Sequence, residues 1–366
     1  MPAPPHPPES AFTFLAQGAL IQEFNVAGHN IVLGFPEASF YKTHNAPYFG
    51  ETIGRTTNRI RDAKLHNLNG QTYRLAANDG PNCLHGGSQG WGKKDFEGPK
   101  PVNRHGKEGV EFRYVSKHME EGYPGTVECK VWYMGSMEDG KTVLEVEYQV
   151  TFIGDECNET VVGVTNHRYA PPLPSLTSNP HAANPPLPNP SYFNLNPTSP
   201  TVDGTIATLH TNQHLVLDAN SIPTGAIAPH PSAPPTPNTP FPLTATTPSF
   251  DDCMVVSPSA TATIPLDTRP LPLRPLVTLS HPATGLHLRV ESTEPAFQFY
   301  TGEHVDVPEV VDSKGGVVRA RGPRSGIAVE PSRYVDCAGR EEWRGQCRVR
   351  RGEVWGARSV YLGWVE

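Results

Sequence analysis

Proline and glycine restrict this chain more than any other feature of its sequence. Its 366 residues include 40 prolines and 33 glycines, about one residue in five, against roughly 12% in average usage. Because proline interrupts helices and central strands, a helical bundle or coiled coil is excluded and a turn-rich fold is expected. Charged residues make up 18% of the chain, which is too few for a charge-driven disordered protein.

Short segments with strand patterns lie between the turn-forming residues. Leu144–Val150 alternates apolar and polar residues and follows the turn signal Glu138-Asp139-Gly140. This pattern predicts a strand with one face in the core and one in water. Comparable β-branched or alternating segments occupy residues 21–33, 110–115, 126–133, 142–152 and 160–166. Strands at this spacing, with no convincing helical periodicity between them, predict an all-β sandwich or barrel with few or no helices.

Charge and cysteine usage exclude several classes of protein. The net charge of −7 argues against a nucleic-acid or anionic-membrane binder, which needs a basic face. No run of about 18 apolar residues predicts a transmembrane helix, and residues 1–10 lack the basic and apolar segments of a secretory signal. The six cysteines are scattered without a CxxC motif. We therefore expect a cytoplasmic protein with reduced thiols.

Several polar or titratable groups stand at the ends of strand-like runs or beside glycines. His85 precedes Gly86-Gly87, where another molecule could approach the backbone closely. Glu330 follows the apolar run 327–329, which could desolvate it and raise its pKa. Each signal is weak by itself, since a single histidine is more often structural and a carboxylate at a strand end is more often solvated.

The ordered set of motifs is more specific, because it resembles the aldose 1-epimerase (galactose mutarotase) family over roughly residues 12–364. Seven motifs in order carry the resemblance. They are NAPYFG (45–50) leading into GRTTNRI (54–60), NDGPNCLHGG (78–87), EGYPG (121–125), TNH (165–167) with YFNL (192–195), IPTG (222–225), TEPAFQFYTG (293–302) and GIAVE (326–330).

The resemblance implies a fold and a reaction. The fold would be a large antiparallel β-supersandwich, with residues 1–366 forming one domain. The reaction would interconvert the α and β anomers of a free aldose, such as galactose or glucose, by ring opening and closure. It needs a base at the C1 hydroxyl and an acid at the ring oxygen, and it needs no metal or redox cofactor. The expected partner is a small-molecule aldose, and the expected state is a monomer or weak dimer.

By this resemblance, Glu330 would be the base, His167 the acid, and His85 a hydrogen-bonding group near C1 and the ring oxygen. Four further residues would bind sugar hydroxyls: Asn58, Arg59, Asp251 and Gln298. Asp251 adjoins Asp252, and either could be a turn residue instead. Arg59 could serve only as an ion pair that supports its loop. Packing roles are at least as reasonable as groove-lining roles for three more residues: Arg55, Trp91 and Tyr300.

Two proline-rich stretches stand apart from the strand pattern. Residues 168–190 contain eight prolines and separate His167 from Ser191-Tyr192. Removing them restores the family's continuous Thr-Asn-His-x-Tyr-Phe-Asn-Leu motif. The stretch is therefore either an in-frame retained intron or a true surface insertion. Residues 229–248 also contain eight prolines, and we expect a connecting loop there.

Two other functions compete with mutarotation. A catalytically silent sugar-binding or regulatory homologue would keep the fold, and the insertion beside His167 favours it. A glycoside hydrolase needs two carboxylates flanking the scissile bond, which Glu330 and Asp251 could supply. The motifs that contain histidine fit mutarotation better than either alternative.

Overall fold

A computed structural model of the chain describes residues 11–45, 48–166, 193–256 and 264–366. Within these residues the chain forms 27 β-strands, one short α-helix and four 3₁₀ turns. His167, Ser191, Tyr192 and the whole stretch 168–190 lie outside the described residues. No helix among the described residues is long and apolar enough to cross a membrane.

The strands up to residue 166 are Phe12–Leu15 (β1), Leu20–Val26 (β2), His29–Asn30 (β3), Thr52–Ile53 (β4), Arg59–Ile60 (β5), Lys64–Leu68 (β6), Gln71–Arg74 (β7), Cys83–Leu84 (β8), Glu97–Arg104 (β9), Lys107–Ser116 (β10), Val127–Glu138 (β11), Lys141–Phe152 (β12), Glu159–Val161 (β13) and Thr165–Asn166 (β14). The helix is Ala38–Thr43 (α1), and the 3₁₀ turns are Arg61–Ala63, Trp91–Lys93, Glu120–Gly122 and Arg344–Gln346.

The strands after residue 193 are Ile206–Leu209 (β15), Gln213–Leu217 (β16), Pro223–Pro229 (β17), Phe241–Pro242 (β18), Asp251–Val255 (β19), Arg274–His281 (β20), Leu286–Ser292 (β21), Ala296–Tyr300 (β22), Val310–Val311 (β23), Val317–Val318 (β24), Ala328–Ser332 (β25), Arg348–Arg350 (β26) and Val354–Val365 (β27).

Two antiparallel sheets dominate the molecule. The larger has nine strands in the order β18-β15-β20-β21-β27-β12-β11-β10-β9, and the smaller has five in the order β17-β16-β19-β22-β25. One hydrophobic core joins them, because it contains Leu144 and Val146 of β12 together with Phe297 and Phe299 of β22. The prediction of a large antiparallel β-supersandwich with few helices is confirmed.

The longest hairpin shows how the sequence sets the register. β11 and β12 pair from Val127↔Phe152 to Glu138↔Lys141. Asp139 and Gly140 connect them with φ of 49° and 76°, and positive φ at both positions is what a two-residue type I′ turn requires. The predicted segments 21–33 and 160–166 are each broken into two strands. The stretch 229–248 is a loop apart from Pro229, which ends β17, and β18, which lies at a sheet edge where proline is tolerated.

The expectation that one face of Leu144–Val150 is wet was wrong for two of its three polar residues. Glu145 and Glu147 are only 7% and 3% exposed. Lys107 lies 3.0 Å from Glu145, and Arg104 donates to Glu147 over 2.6 Å. The long cationic side chains cover the carboxylates and replace water as their partners. All six cysteines are free, as expected.

Candidate active site

The two faces of the five-stranded sheet carry different side chains. Because side chains alternate along a strand, Phe297 and Phe299 of β22 face the core while Gln298 faces away from it. Gln298 stands directly opposite Glu330 of β25. On the other side of β22, Asp251 of β19 pairs with Tyr300, two residues along from Gln298. Three of the predicted site residues therefore share one face over three adjacent strands.

The same alternation separates the two neighbouring aspartates. Asp252 lies on the core-facing side, and its Oδ2 is 2.9 Å from Nε2 of His230. His230 in turn stacks on Phe250, with ring centroids 4.7 Å apart. Gln298 Nε2 donates to Oδ1 of Asp251 over 2.7 Å. Asp252 therefore has a structural partner, and Asp251 is the aspartate that lies with the polar cluster.

A short ladder places His85 beside Asn58. β5 and β8 pair through Arg59↔Leu84 and Ile60↔Cys83, so Asn58 and His85 face each other just beyond the ladder. The His85 N–H donates to the Asn58 carbonyl over 3.1 Å, and the Asn58 N–H donates to His85 Nδ1 over 3.2 Å. Both residues have left-handed backbones, with φ of 54° and 53°, a strained conformation that recurs at functional sites.

The side-chain amide of Gln298 connects this ladder to the five-stranded sheet. Asn58 Nδ2 donates to Gln298 Oε1 over 3.4 Å, and Gln298 then donates to Asp251. The contacts fix which end of the Gln298 amide faces each partner. The structure thus brings together His85, Asn58, Gln298 and Asp251 in one hydrogen-bonded chain, with Glu330 directly across from Gln298.

Arg59 makes the ion pair that the sequence analysis gave as an alternative, and its role in sugar binding stays a prediction. Its Nε donates to Asp79 Oδ2 over 2.7 Å, and both side chains are buried. Its positive charge also adds to the lowering that burial causes in the pKa of His85, and it partly offsets the rise that burial causes in the pKa of Asp251. The ion pair with Asp79 holds the guanidinium near the polar cluster.

Burial, with smaller effects from Arg59 and Lys93, moves the pKa of His85 well below its usual value. The imidazole is therefore neutral near pH 7. Because Nδ1 accepts the Asn58 N–H, the single ring proton sits on Nε2. His85 is thus a hydrogen-bond donor at Nε2 and a poor proton donor to substrate.

Asp251 has an unusual pKa for a carboxylate. Burial raises it to about 7, against the opposing effects of Arg59 and of the Gln298 hydrogen bond. Near neutral pH this side chain exists in both protonation states. It can therefore accept a hydrogen bond from a hydroxyl as a carboxylate, or donate one as an acid.

Sequence analysis missed a second group of residues behind His85. The Tyr48 ring lies against the His85 ring, with centroids 5.8 Å apart, and Lys93 Nζ lies 3.8 Å from the centre of the Tyr48 ring. Lys93 pairs with Glu51 over 3.0 Å. Glu51 is fully buried, and burial raises its pKa to about 7. Glu51 is the only charged residue in the stretch 45–54 of the sequence, and this isolated carboxylate could have indicated a special role for it.

Other quoted motifs support the site from a distance. Arg55 is buried and donates to the Pro124 carbonyl over 2.7 Å and to Thr160 Oγ1 over 2.8 Å. Tyr123 and Thr56 join through their hydroxyls over 2.6 Å. The EGYPG motif therefore anchors the GRTTNRI loop.

Packing also explains the two glycines after His85. A Cβ on Gly86 would collide with the Gly54 carbonyl, and one on Gly87 with the Glu121 side chain. The protein itself fills the space beside these two glycines, so their lack of side chains is explained by packing, and the approach of a ligand to this segment stays a prediction. Trp91 packs against Gly54, and Tyr300 packs in a cluster with Phe35 and Phe49.

The structure describes the chain up to the residue before His167. Thr165 Oγ1 donates to the carbonyl of Pro331, the residue after Glu330, over 2.8 Å. β14 also pairs with β4 through Thr165↔Ile53 and Asn166↔Thr52. The segment that leads to His167 is thus bound to the strand that carries Glu330.

Comparison with known proteins agrees with this arrangement. The aldose 1-epimerase family model matches residues 6–171 and 187–362, so the chain belongs to the aldose 1-epimerase family. The match is interrupted between residues 171 and 187, inside the first proline-rich stretch.

Individual relatives are similar over most of the chain. The bifunctional protein gal10 of Schizosaccharomyces pombe is 34% identical over 94% of this chain and 42% of its own length. The galactose mutarotase of Sus scrofa is 30% identical over 83% of this chain and 75% of its own. The chain therefore spans less than half of the bifunctional relative. The crystal structure of a GalM/aldose epimerase homologue from C. elegans shares the fold, with a TM-score of 0.73 at 20% identity over 97% of this chain and 95% of that one.

Proposed function

We propose that the chain is an aldose 1-epimerase that interconverts the α and β anomers of free hexoses such as galactose and glucose. The observation that carries the proposal is the shared outer face of β19, β22 and β25. There Glu330 lies opposite Gln298, which is hydrogen-bonded to Asp251 and to the Asn58 that holds His85. Membership of the aldose 1-epimerase family supports the reaction type.

Ring opening would begin at Glu330. Its carboxylate takes the proton of the C1 hydroxyl, electrons move to form the C1 carbonyl, and the bond from C1 to the ring oxygen breaks. His167 gives the ring oxygen its proton. Rotation about the bond between C1 and C2, followed by the reverse transfers, closes the ring on the other face. Each positioned transfer contributes about 10²–10⁴-fold.

His85 would stabilise charge rather than move a proton. Its neutral ring presents Nε2–H, which can donate to oxygen at C1 or in the ring as negative charge develops. Asn58, Arg59, Asp251 and Gln298 would hold the sugar hydroxyls. Arg59 supplies donors, and Asp251, with its pKa of about 7, supplies an acceptor and a donor in turn.

Polarimetry of α-D-glucose and α-D-galactose tests this function. We expect the 366-residue chain to accelerate mutarotation above the spontaneous rate, and Glu330→Gln to remove at least ~10²-fold of that acceleration. The matched control is Glu108→Gln, because Glu108 is an exposed carboxylate on β10. Equal rates for Glu330→Gln and Glu108→Gln would overturn the role of Glu330.

A version lacking 168–190 separates the remaining possibilities. If only this version is active, the site stands and the stretch blocks it. If both versions fold and bind sugar but neither accelerates mutarotation, the silent sugar-binding homologue replaces the enzyme. A mature transcript that encodes 168–190 would exclude a retained intron.

We also propose that the chain forms one domain, that it acts in the cytoplasm, and that it is a monomer or weak dimer. The single core shared by the two large sheets supports one domain. Sedimentation of the purified chain checks the oligomeric state, and imaging of the tagged chain in its own cells checks the compartment.

A further inference from the structure

A second cavity lies between the loop after Leu195 and the segment that joins β24 to β25. Its volume is about 270 Å³, and its lining includes Ser199, Arg319, Arg321 and Ser325. None of the predicted acid, base or sugar-binding residues lines it. A single water needs only ~10–15 Å³ of such space, so the cavity is large enough for a phosphate group and part of the molecule that bears it.

Arg321 is held rigidly at this cavity. Its backbone exchanges two hydrogen bonds of 2.8 Å with Val307. Its guanidinium lies 5.3 Å from the ring centre of Phe49 and 5.9 Å from that of Phe35. Aromatic rings on one side of a guanidinium fix its plane and leave its edge to bind a partner.

The charge of Arg321 has no carboxylate to balance it. Among the described residues, neither Arg319 nor Arg321 makes an ion pair, and the buried Nη1 of Arg321 has no hydrogen-bond partner. Burial without a counter-charge lowers the pKa of Arg321 to about 10. A buried charge is costly unless it is paired, so this cavity favours an anion.

Hydroxyl groups add a second, independent indication. Ser325 is 3% exposed and lines the cavity, and within the described residues its Oγ is buried without a partner, so the hydroxyl must rotate to reach an anion there. Its carbonyl is held by Asn194 Nδ2 over 3.0 Å. Ser199 Oγ accepts the Thr201 N–H, so its own proton can be donated into the cavity.

We propose that this cavity binds a phosphate oxyanion, either as inorganic phosphate or as the phosphate of a small phosphorylated metabolite. The donor set is two guanidiniums and two hydroxyls. Arginine suits phosphate because its planar fork can donate two parallel hydrogen bonds to two oxygens. The site is separate from the proposed mutarotation site and does not depend on that activity.

Calorimetric titration of the full chain tests the proposal with two probes, inorganic phosphate and glucose 6-phosphate, against sodium chloride at matched ionic strength. We expect binding of the phosphates alone. Arg319→Gln and Ser325→Ala should each raise the Kd by about tenfold, and Arg321→Gln should abolish binding. Arg289→Gln is the matched control, because Arg289 pairs with Glu291 on the nine-stranded sheet.

The design remains decisive if Arg321→Gln fails to fold, because Arg319 is exposed and Ser325→Ala removes one oxygen. Competition between the two probes would support a shared phosphate site. Binding of glucose 6-phosphate alone would assign the ester as ligand if Arg319→Gln weakens it, and would place it in the mutarotation site, against the proposal, if Arg319→Gln does not. Heats no larger than those with chloride would overturn the proposal. So would an unchanged Kd in both Arg319→Gln and Ser325→Ala.

Discussion

The outer faces of the two large sheets are both polar and buried, yet their charges are balanced differently. The nine-stranded sheet bears a concave cavity of about 630 Å³ on this face. Its carboxylates have cations: Glu145 pairs with Lys107 and Arg358, Glu147 with Arg104, and Asp267 with Arg269.

The five-stranded sheet shows the opposite arrangement. Among the described residues Asp251 makes no ion pair, and it accepts a hydrogen bond from the neutral amide of Gln298. Burial therefore raises its pKa to about 7. The face with the larger number of charges is thus the one whose carboxylates are paired. Incomplete balancing, rather than size or the number of charges, marks the face where protons can be exchanged near neutral pH.

The largest effect should come from comparing two variants, each with one histidine substituted on one of the two faces. We expect His85→Gln to lower kcat/KM for mutarotation by about 10²-fold or more, because the Nε2–H donor to the developing charge is lost. His105, an exposed histidine 3.5 Å from Glu147, is the counterpart on the other face. Polarimetry should find His105→Gln within twofold of the unchanged chain, and similar losses for both variants would remove the distinction between the faces.

The next effect concerns how the free energy of unfolding depends on pH. The folded pKa of Glu51 is about 7, above its ordinary value of 4.5, so its contribution is fully present below pH 4.5 and is lost as pH rises through 7. Glu51→Gln should therefore remove roughly 2 kcal/mol of the fall in unfolding free energy between pH 5 and pH 8. Urea unfolding at both values measures it.

Glu138→Gln is the control for that experiment. The hydrogen bond from Lys107 lowers the pKa of Glu138, so its substitution should leave the pH dependence between 5 and 8 close to that of the unchanged chain. A pH dependence that Glu51→Gln does not flatten would show that Glu51 ionises normally in the folded protein.

A smaller effect should follow from changing one aspartate on each face. Asp251→Asn keeps the shape and the contact with Gln298 but removes the charge, so we expect KM to rise about tenfold, or ~1.4 kcal/mol. Asp267→Asn should leave KM unchanged, because Asp267 pairs with Arg269 on the other sheet. Initial rates over a range of sugar concentrations decide between them.

The smallest effect should be the loss of unfolding free energy caused by Glu147→Gln on the nine-stranded sheet. Loss of its contact with the partly exposed Arg104 should lower the unfolding free energy by about 1 kcal/mol at low salt, and by less at high salt. Mutarotation should be unaffected. A loss of activity with retained stability would show that the nine-stranded face takes part in catalysis.

The fold was predictable because local signals agreed with it. The alternation in Leu144–Val150 and the Asp139-Gly140 turn both appear in the β11–β12 hairpin. The burial of the polar face of β12 could not be predicted, because Arg104 and Lys107 reach Glu147 and Glu145 from other strands. Sequence alone does not show which side chains cross from neighbouring strands.

The candidate site was predictable only as a set of residue types. The family resemblance named Asp251 and His85, but the β19 register was needed to separate Asp251 from Asp252. The contacts of Tyr48, Lys93 and Glu51 join segments 40 residues apart and carry no local pattern. His167 lies outside the described residues, and its role stays a prediction.

The exact pairing of Gln298 with Glu330 has a consequence for how errors in folding are handled. A slip of β22 by one residue would turn Phe297 and Phe299 outward and push Gln298 into the core. A chain with misplaced catalytic groups would therefore also expose two aromatic rings. Cellular quality control, which recognises exposed apolar surface, would thus remove inactive molecules without ever sensing their activity.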